Sequence, residues 1–322
     1  MAKKASDREV CIPLGHWLTT MTRSVPLWES QAVAFFEKNP QKVFLRTEFA
    51  RILTEQETEW GAPRSLTPSR LIKVLYRRGL REVDFVQERL PDSASGETPP
   101  KPTKTLTRLA WGDPNPYSLG ASLRTGAYLS HASAVFLHGL TQEVPKTIYV
   151  NKEQSEKPSD PSSLTQEALD RAFQNKQRVS TYIFVHNDNR FVLLSGKHTN
   201  RLEVSNVEIE GGATVPATKL ERTLIDITVR PLYAGGVFEV AKAFQAAKER
   251  VSVSTLVATL KKLEYVYPYH QAIGYYMERA GFSGRQLDRV RSLGLTYRFY
   301  LANSLHNPRL VPEWNLWVPD GL

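Results

Sequence analysis

The chain has 322 residues, 41% of them hydrophobic and 10% aromatic, enough for roughly two domains with real cores. Its single cysteine, Cys11, excludes an internal disulfide and a cysteine-rich metal site, and fits a reducing, cytoplasmic setting. The net charge of +9 and pI near 9.5 suit nucleic acid or an anionic surface. That excess is spread evenly, because residues 1–117 hold 18 basic and 14 acidic side chains against 24 and 19 in the remainder. Only local clustering is therefore informative. No apolar run approaches the ~18 residues that span a bilayer, and Val10 to Leu14 is too short for the core of a signal peptide.

Residues 1–29 read as an N-terminal extension. A first helix is expected from Ser30, with Val33, Phe36 and Ala32 inward, ended by Asn39-Pro40. Val43 to Leu45 reads as a very short strand, and Arg46 to Leu53 as a second helix burying Phe49, Ile52 and Leu53. The third helix opens with Thr67 as N-cap and Pro68 at its first position, and Gly79 stops it. Leu71, Ile72, Val74 and Leu75 gather on one side, while Arg70, Lys73 and Arg77 share the other. From Arg64 to Arg81 there are six basic residues and no acidic one. A short helix with an anchored apolar face and a cationic face suits the DNA major groove. A solvated basic helix of unrelated role would show the same pattern.

The flanks favour DNA. Leu80 to Val86 alternates like a strand, residues 91–103 are rich in Pro, Ser and Gly, and Lys104 to Trp111 can return as a second strand. Three short helices followed by a two-stranded ribbon is the layout of a winged helix-turn-helix, here placed at residues 30–116. Arg64, Ser65, Thr67, Ser69, Arg70, Lys73, Arg77 and Arg78 are the expected contacts on the helix and on the link that leads into it. Lys101, Lys104 and Arg108 are placed to meet phosphate from the wing.

Gly112 to Tyr117 marks a change of region by its turn residues. Beyond it, residues 117–322 read as a mixed α/β domain with a small sheet and a helical end, so the fold class is α+β. Its strands are expected over 145–150, 181–186, 191–194 and 202–210, with a short one at 214–216. The stretch up to Leu140 reads as a buried helix in its second half, and Leu164 to Asn175 as another. Thr218 and Glu221 have capping-box spacing, opening a helix that runs through Ile227. Further helices are expected over 236–250, 254–263, 269–280, 284–293 and 297–305. The aromatic tail from Val311 to Pro319 should dock on the body.

Catalytic motifs are missing: no G-x-x-x-x-G-K-[ST], G-x-G-x-x-G, G-x-S-x-G or H-E-x-x-H occurs. No acidic residue stands two positions before a lysine, as restriction-type nucleases usually require. His131 and His138 are seven apart, and two ligands alone do not make a zinc site; buried or capping histidines are the simpler reading. Glu221, Arg222 and Asp226 could form an acid/base group, but a charge-paired helix start explains Arg222 and Asp226 at i, i+4 more simply. Arg285, Arg289, Arg291 and Arg298 mix with Tyr297, Phe299 and Tyr300. That pattern suits a nucleic-acid surface and a helix-packing surface equally. No enzyme activity, cofactor or metal is expected.

Several blocks together resemble the AbiEi family of type IV antitoxins. They are the residues from Tyr128 to Leu140 (YLSHASAVFLHGL), Pro145 to Val150 (PKTIYV), and Val215 to Asp226 (VPATKLERTLID) with Gly235-Gly236. Ile273 to Gly281 (IGYYMERAG) and Trp314 to Pro319 (WNLWVP) continue the pattern, and the resemblance covers roughly residues 30–319. It implies an antitoxin of a toxin–antitoxin, abortive-infection operon for phage defence, encoded beside a nucleotidyltransferase-like toxin. It also implies a winged-helix repressor that binds inverted repeats in its own promoter, through the helix around Arg70, Lys73 and Arg77. Neutralisation would rest on residues after about 118, without a stable complex with the toxin. The chain departs from the family in its long wing loop and in residues 1–29. Alternatives are an RNA-binding or enzymatic effector on the toxin's substrate, and a module that sequesters the toxin.

Overall fold

The computed structural model describes residues 25–88, 103–156 and 164–322. Helix α1 (Leu27–Lys38) starts three residues earlier than expected and ends at Asn39, whose extended backbone is what a following proline imposes. Strand β1 (Val43–Phe44) and helix α2 (Glu48–Gln56) follow, then α3 (Pro68–Tyr76), β2 (Leu80–Gln87) and β3 (Thr105–Trp111). These elements close on an aromatic core. The Phe36 ring stacks on Phe49 at 5.5 Å and on Trp111 at 5.6 Å, with Phe44 and Trp60 against them. Each such buried ring contributes on the order of 1.5–3 kcal/mol.

Helix α4 (Pro116–Ser122), strand β4 (Tyr128–Leu129) and helix α5 (Ala132–Leu137) come next. The single buried helix expected up to Leu140 is thus broken, because Tyr128 and Leu129 pair with Asn151 and Val150 of β5 (Thr147–Glu153). After α6 (Gln166–Gln174), β6 (Ile183–His186) and β7 (Asn189–Gly196) form a hairpin. Its turn is Asn187-Asp188, where Asn187 takes the positive φ of 50° that such a turn needs. Strands β8 (Val204–Glu208) and β9 (Thr214–Thr218) complete the sheet.

The sheet is not small. Among the described residues it has nine strands in the order β1-β3-β2-β6-β7-β5-β4-β9-β8. It runs without a break from the N-terminal helices into the body, because Val86 and Gln87 of β2 pair with Val185 and Phe184 of β6. Phe85 meets Phe191 edge-on at 5.2 Å across that junction. Strands β5 and β7 at the centre are parallel.

The helical end comprises α7 (Leu220–Val229), a 3-10 turn at Pro231–Ala234, α8 (Val237–Ala247), α9 (Val253–Leu263), α10 (Tyr269–Arg279) and α11 (Gly284–Arg291). The expected capping box at Thr218 and Glu221 does not form. Pairing with Val204 keeps Thr218 in β9, where its hydroxyl bonds Thr223, and Glu221 instead accepts from the Ser252 backbone N–H. Nor is 297–305 a helix. Phe299–Tyr300 is strand β10, which pairs with β12 (Leu316–Val318), itself paired with β11 (Arg309–Val311). The tail does dock: Trp314 is fully buried against Gly274, where a Cβ would stand 2.0 Å from the indole. The architecture is mixed α/β.

Candidate functional site

Two places concentrate chemistry, and the first is the outer face of α3. Thr67 Oγ1 accepts from the Arg70 N–H at 3.3 Å, and Pro68 fixes the first turn. Leu71, Ile72 and Leu75 anchor the inner side in the aromatic core. Arg64, Ser65, Thr67, Ser69, Arg70, Lys73 and Arg77 are all exposed. Among the described residues no carboxylate lies within ion-pair distance of Arg64, Arg70, Lys73 or Arg77. Arg78 is different, for it holds Glu29 of α1 at 2.7 Å.

The ribbon contributes less than expected. Lys104 is exposed, its ammonium donating to Tyr182 Oη at 3.1 Å and sharing that ring with Arg124, 5.0 Å from its centroid. Arg108 corrects the sequence reading. It is buried, and its guanidinium donates to the carbonyls of Thr107, Ser122 and Leu123, so it ties β3 to α4 rather than meeting phosphate. Strand alternation puts Arg108 on the same face of β3 as Leu106 and Ala110, the face that packs on the core, where the carbonyls of Ser122 and Leu123 receive it. Lys101 lies outside the described residues. At the C-terminal end, Arg285 and Arg289 are exposed, whereas Arg291 lies 4.6 Å over Trp314 and pairs with Glu278 and Asp288. Arg298 stands over Trp317 at 5.9 Å.

The second place is a cleft of about 540 Å³ at the carboxyl ends of the parallel strands β5 and β7, closed by α7. Its floor holds the Arg222–Asp226 pair, joined at 2.7 Å with both side chains over nine-tenths buried. The spacing reading of a charge pair thus stands, but the pair is not a solvated helix start. Arg222 also donates to the Leu202 carbonyl at 3.0 Å. Burial pushes the Asp226 carboxyl up despite Arg222 beside it, while Arg222 is kept protonated by Asp226 against its own burial.

His131 lines the same cleft at the turn from β4 into α5, with φ 52° and ψ −133°, outside the regions that L-residues ordinarily occupy. Such backbone costs on the order of 1–3 kcal/mol and persists only where its surroundings enforce it. Its Nδ1 lies 2.9 Å from Ser130 Oγ. Burial, then the charges of Arg222 and Arg230, pushes its pKa down to about 3, so the ring is neutral at pH 7. His138 is instead bonded through Nε2 to the Thr218 carbonyl at 2.7 Å, so the two histidines do not converge on one point.

Behind the floor runs a polar chain. Asn151 Nδ2 donates to Tyr128 Oη at 2.7 Å, and that hydroxyl donates to Glu153 at 2.9 Å. Burial raises the Glu153 carboxyl, but donors from Thr199, Arg201 and Tyr128 together hold it below its usual range. Gly196 leaves room for this, since a Cβ there would fall 2.6 Å from the Asn151 amide. Asn151, Lys197, Arg230 and Tyr233 were not singled out from the sequence. They come from three separate segments, Arg230 and Tyr233 sharing one, and only the topology assembles them.

A larger cleft of about 870 Å³ beside Val144 and Leu232 is lined by solvated charges such as Lys146 and Lys242 and holds no buried carboxylate, imidazole or guanidinium. Among the described residues no helix is long and apolar enough to cross a membrane.

No family model matches the chain, and no curated protein sequence matches it. Among solved structures, the crystal structure of RV2827C protein from Mycobacterium tuberculosis is similar, with 17% identity over 91% of this chain and 92% of that chain. The TM-score is 0.49, too low for the likeness to carry an argument.

Proposed function

We propose that residues 30–116 form a winged helix-turn-helix and that this chain is a DNA-binding repressor of the antitoxin type. The observation that carries the reading is the outer face of α3. Arg70 and Lys73 on the helix, with Arg64 before it and Arg77 at its C-cap, stand exposed and, among the described residues, without a carboxylate within ion-pair distance, while the helix's other side is locked into an aromatic core. Rigid presentation of an unneutralised cationic face is what a major-groove reader requires. In this reading the ribbon β2–β3 serves as the wing, with Lys104 exposed near its distal end. The antitoxin part rests on the resemblance to AbiEi proteins. In that reading the chain represses its own operon at promoter inverted repeats, and residues after about 118 neutralise a nucleotidyltransferase-like toxin without a stable complex. The protein would then act in the cytoplasm and without a cofactor.

Arg70→Ala combined with Lys73→Ala tests the division of labour. Promoter fragments should no longer be retarded in gel shifts, while cells carrying the cognate toxin should still be protected. Normal DNA binding together with lost protection in this double variant would sink the proposal.

A further inference from the structure

The α3 reading leaves the C-terminal cleft unused. We infer that this cleft is a binding site for a small phosphorylated ligand, held by Arg178, Lys197 and Arg230 at its mouth and seated on the Arg222–Asp226 floor beside His131. Four features carry the assignment. Its ionisable lining is four cations, Arg178, Lys197, Arg222 and Arg230, against the single carboxylate of Asp226. That carboxylate is already taken by Arg222, and among the described residues no carboxylate pairs with the other three. Lys197 is instead held by the carbonyls of Leu263 and Glu264, and Arg230 by the Arg178 carbonyl, contacts that orient cations without neutralising them. Uncompensated cations converging on one concave surface favour an anion, and planar guanidinium forks match phosphate oxygens.

The place in the fold agrees, because ligands of open α/β sheets bind outside the carboxyl ends of parallel strands, where β5 and β7 end. The strained backbone of His131 at the β4–α5 turn faces the same space, and strain of that kind collects at ligand sites. Finally, Tyr233 and Tyr265 line the cleft, the Tyr233 ring standing edge-on to His131 at 5.3 Å, so aromatic side chains border the cations. A phosphate with an aromatic group attached uses both. This inference does not depend on the DNA-binding reading of α3.

The test is calorimetric titration of the full-length protein at low salt with adenosine triphosphate, inorganic pyrophosphate and adenosine. Saturable binding of the triphosphate is expected, and Arg178→Gln with Arg230→Gln should weaken it by about tenfold or more, since each charged hydrogen bond is worth at least that. Both side chains are exposed, so the melting temperature of this variant should stay at the wild-type value. Arg70→Ala with Lys73→Ala should leave the affinity unchanged, which separates the cleft from the α3 face. A triphosphate bound more tightly than pyrophosphate assigns the aromatic wall to a base; equal affinities assign the site to the phosphates alone. No saturable binding of either phosphate, or binding equally strong in the Arg178/Arg230 variant, overturns the inference. So does adenosine binding as tightly as the triphosphate.

Discussion

His131 carries a pH signature that follows from its burial. Its folded pKa, about 3, lies below the ordinary 6.5, so below pH 6.5 the unfolded chain takes up a proton that the folded one refuses. Stability from this residue is therefore complete above about pH 6.5 and is lost as pH falls toward 3. Between pH 7 and 5 the loss approaches 2 kcal/mol at most. His131→Asn, which tolerates positive φ, should flatten the difference between urea midpoints at those two pH values; an undiminished difference would mean His138 and His270, both also lowered by burial, carry it. The Arg222–Asp226 pair makes a second prediction. Asp226→Ala strands a buried guanidinium and should cost about 3–5 kcal/mol, whereas replacing both partners, Arg222→Met with Asp226→Leu, should recover most of it. Chemical denaturation of the three proteins would read this directly. Spacing showed that these two residues pair, but not that they are buried, because the sheet end that covers them lies elsewhere in the chain.

At the scale of elements, α3 is where sequence and structure agree most closely. Thr67 and Pro68 mark its start, and Leu71, Ile72 and Leu75 face inward as their spacing requires, while Val74 is only half-buried and the helix ends at Tyr76, before Gly79 is reached. Local chemistry decides all of this, so it is legible without tertiary knowledge. The agreement fails where long-range pairing overrides local pattern. Thr218 has a cap's spacing but is held in β9 by β8, and Phe299 and Tyr300 look helical yet pair with β12. Arg108 reads as a phosphate contact by its charge, yet it lies on the Leu106–Ala110 face of β3 and is held by the carbonyls of Ser122 and Leu123. For α3 the electrostatic expectation is quantitative. If Lys73 meets a phosphate, Lys73→Ala should weaken binding to all DNA sequences alike and flatten the plot of log affinity against log salt by about one unit. Arg108→Lys should leave that slope alone and lower thermal stability instead.

For the molecule as a whole, the junction of β2 with β6 matters most. The turn residues around Gly112 suggest a break after residue 116, yet the sheet crosses it. A fragment of residues 117–322 would expose the edge of β6 and strip Phe85 from Phe191. Such a fragment should aggregate more readily and melt lower than the full chain, measured by light scattering and calorimetry. A fragment equal to the full chain in both would show the body needs nothing from the N-terminal strands. No periodicity in either half announces the junction, since it joins Val86 to Val185.

That same pairing sets a clock on biosynthesis. Val86 leaves the ribosome 99 residues ahead of its partner Val185. At 5–20 residues per second, the edge of β2 waits roughly 5–20 s before its neighbour has been made. The helices α1, α2 and α3 can already have closed on their aromatic core by then, so the growing chain displays a finished basic helix beside an open strand. Arg81, Glu82 and Asp84, outward-facing charges along that strand, are suited to keep it from pairing with another nascent chain in the interval.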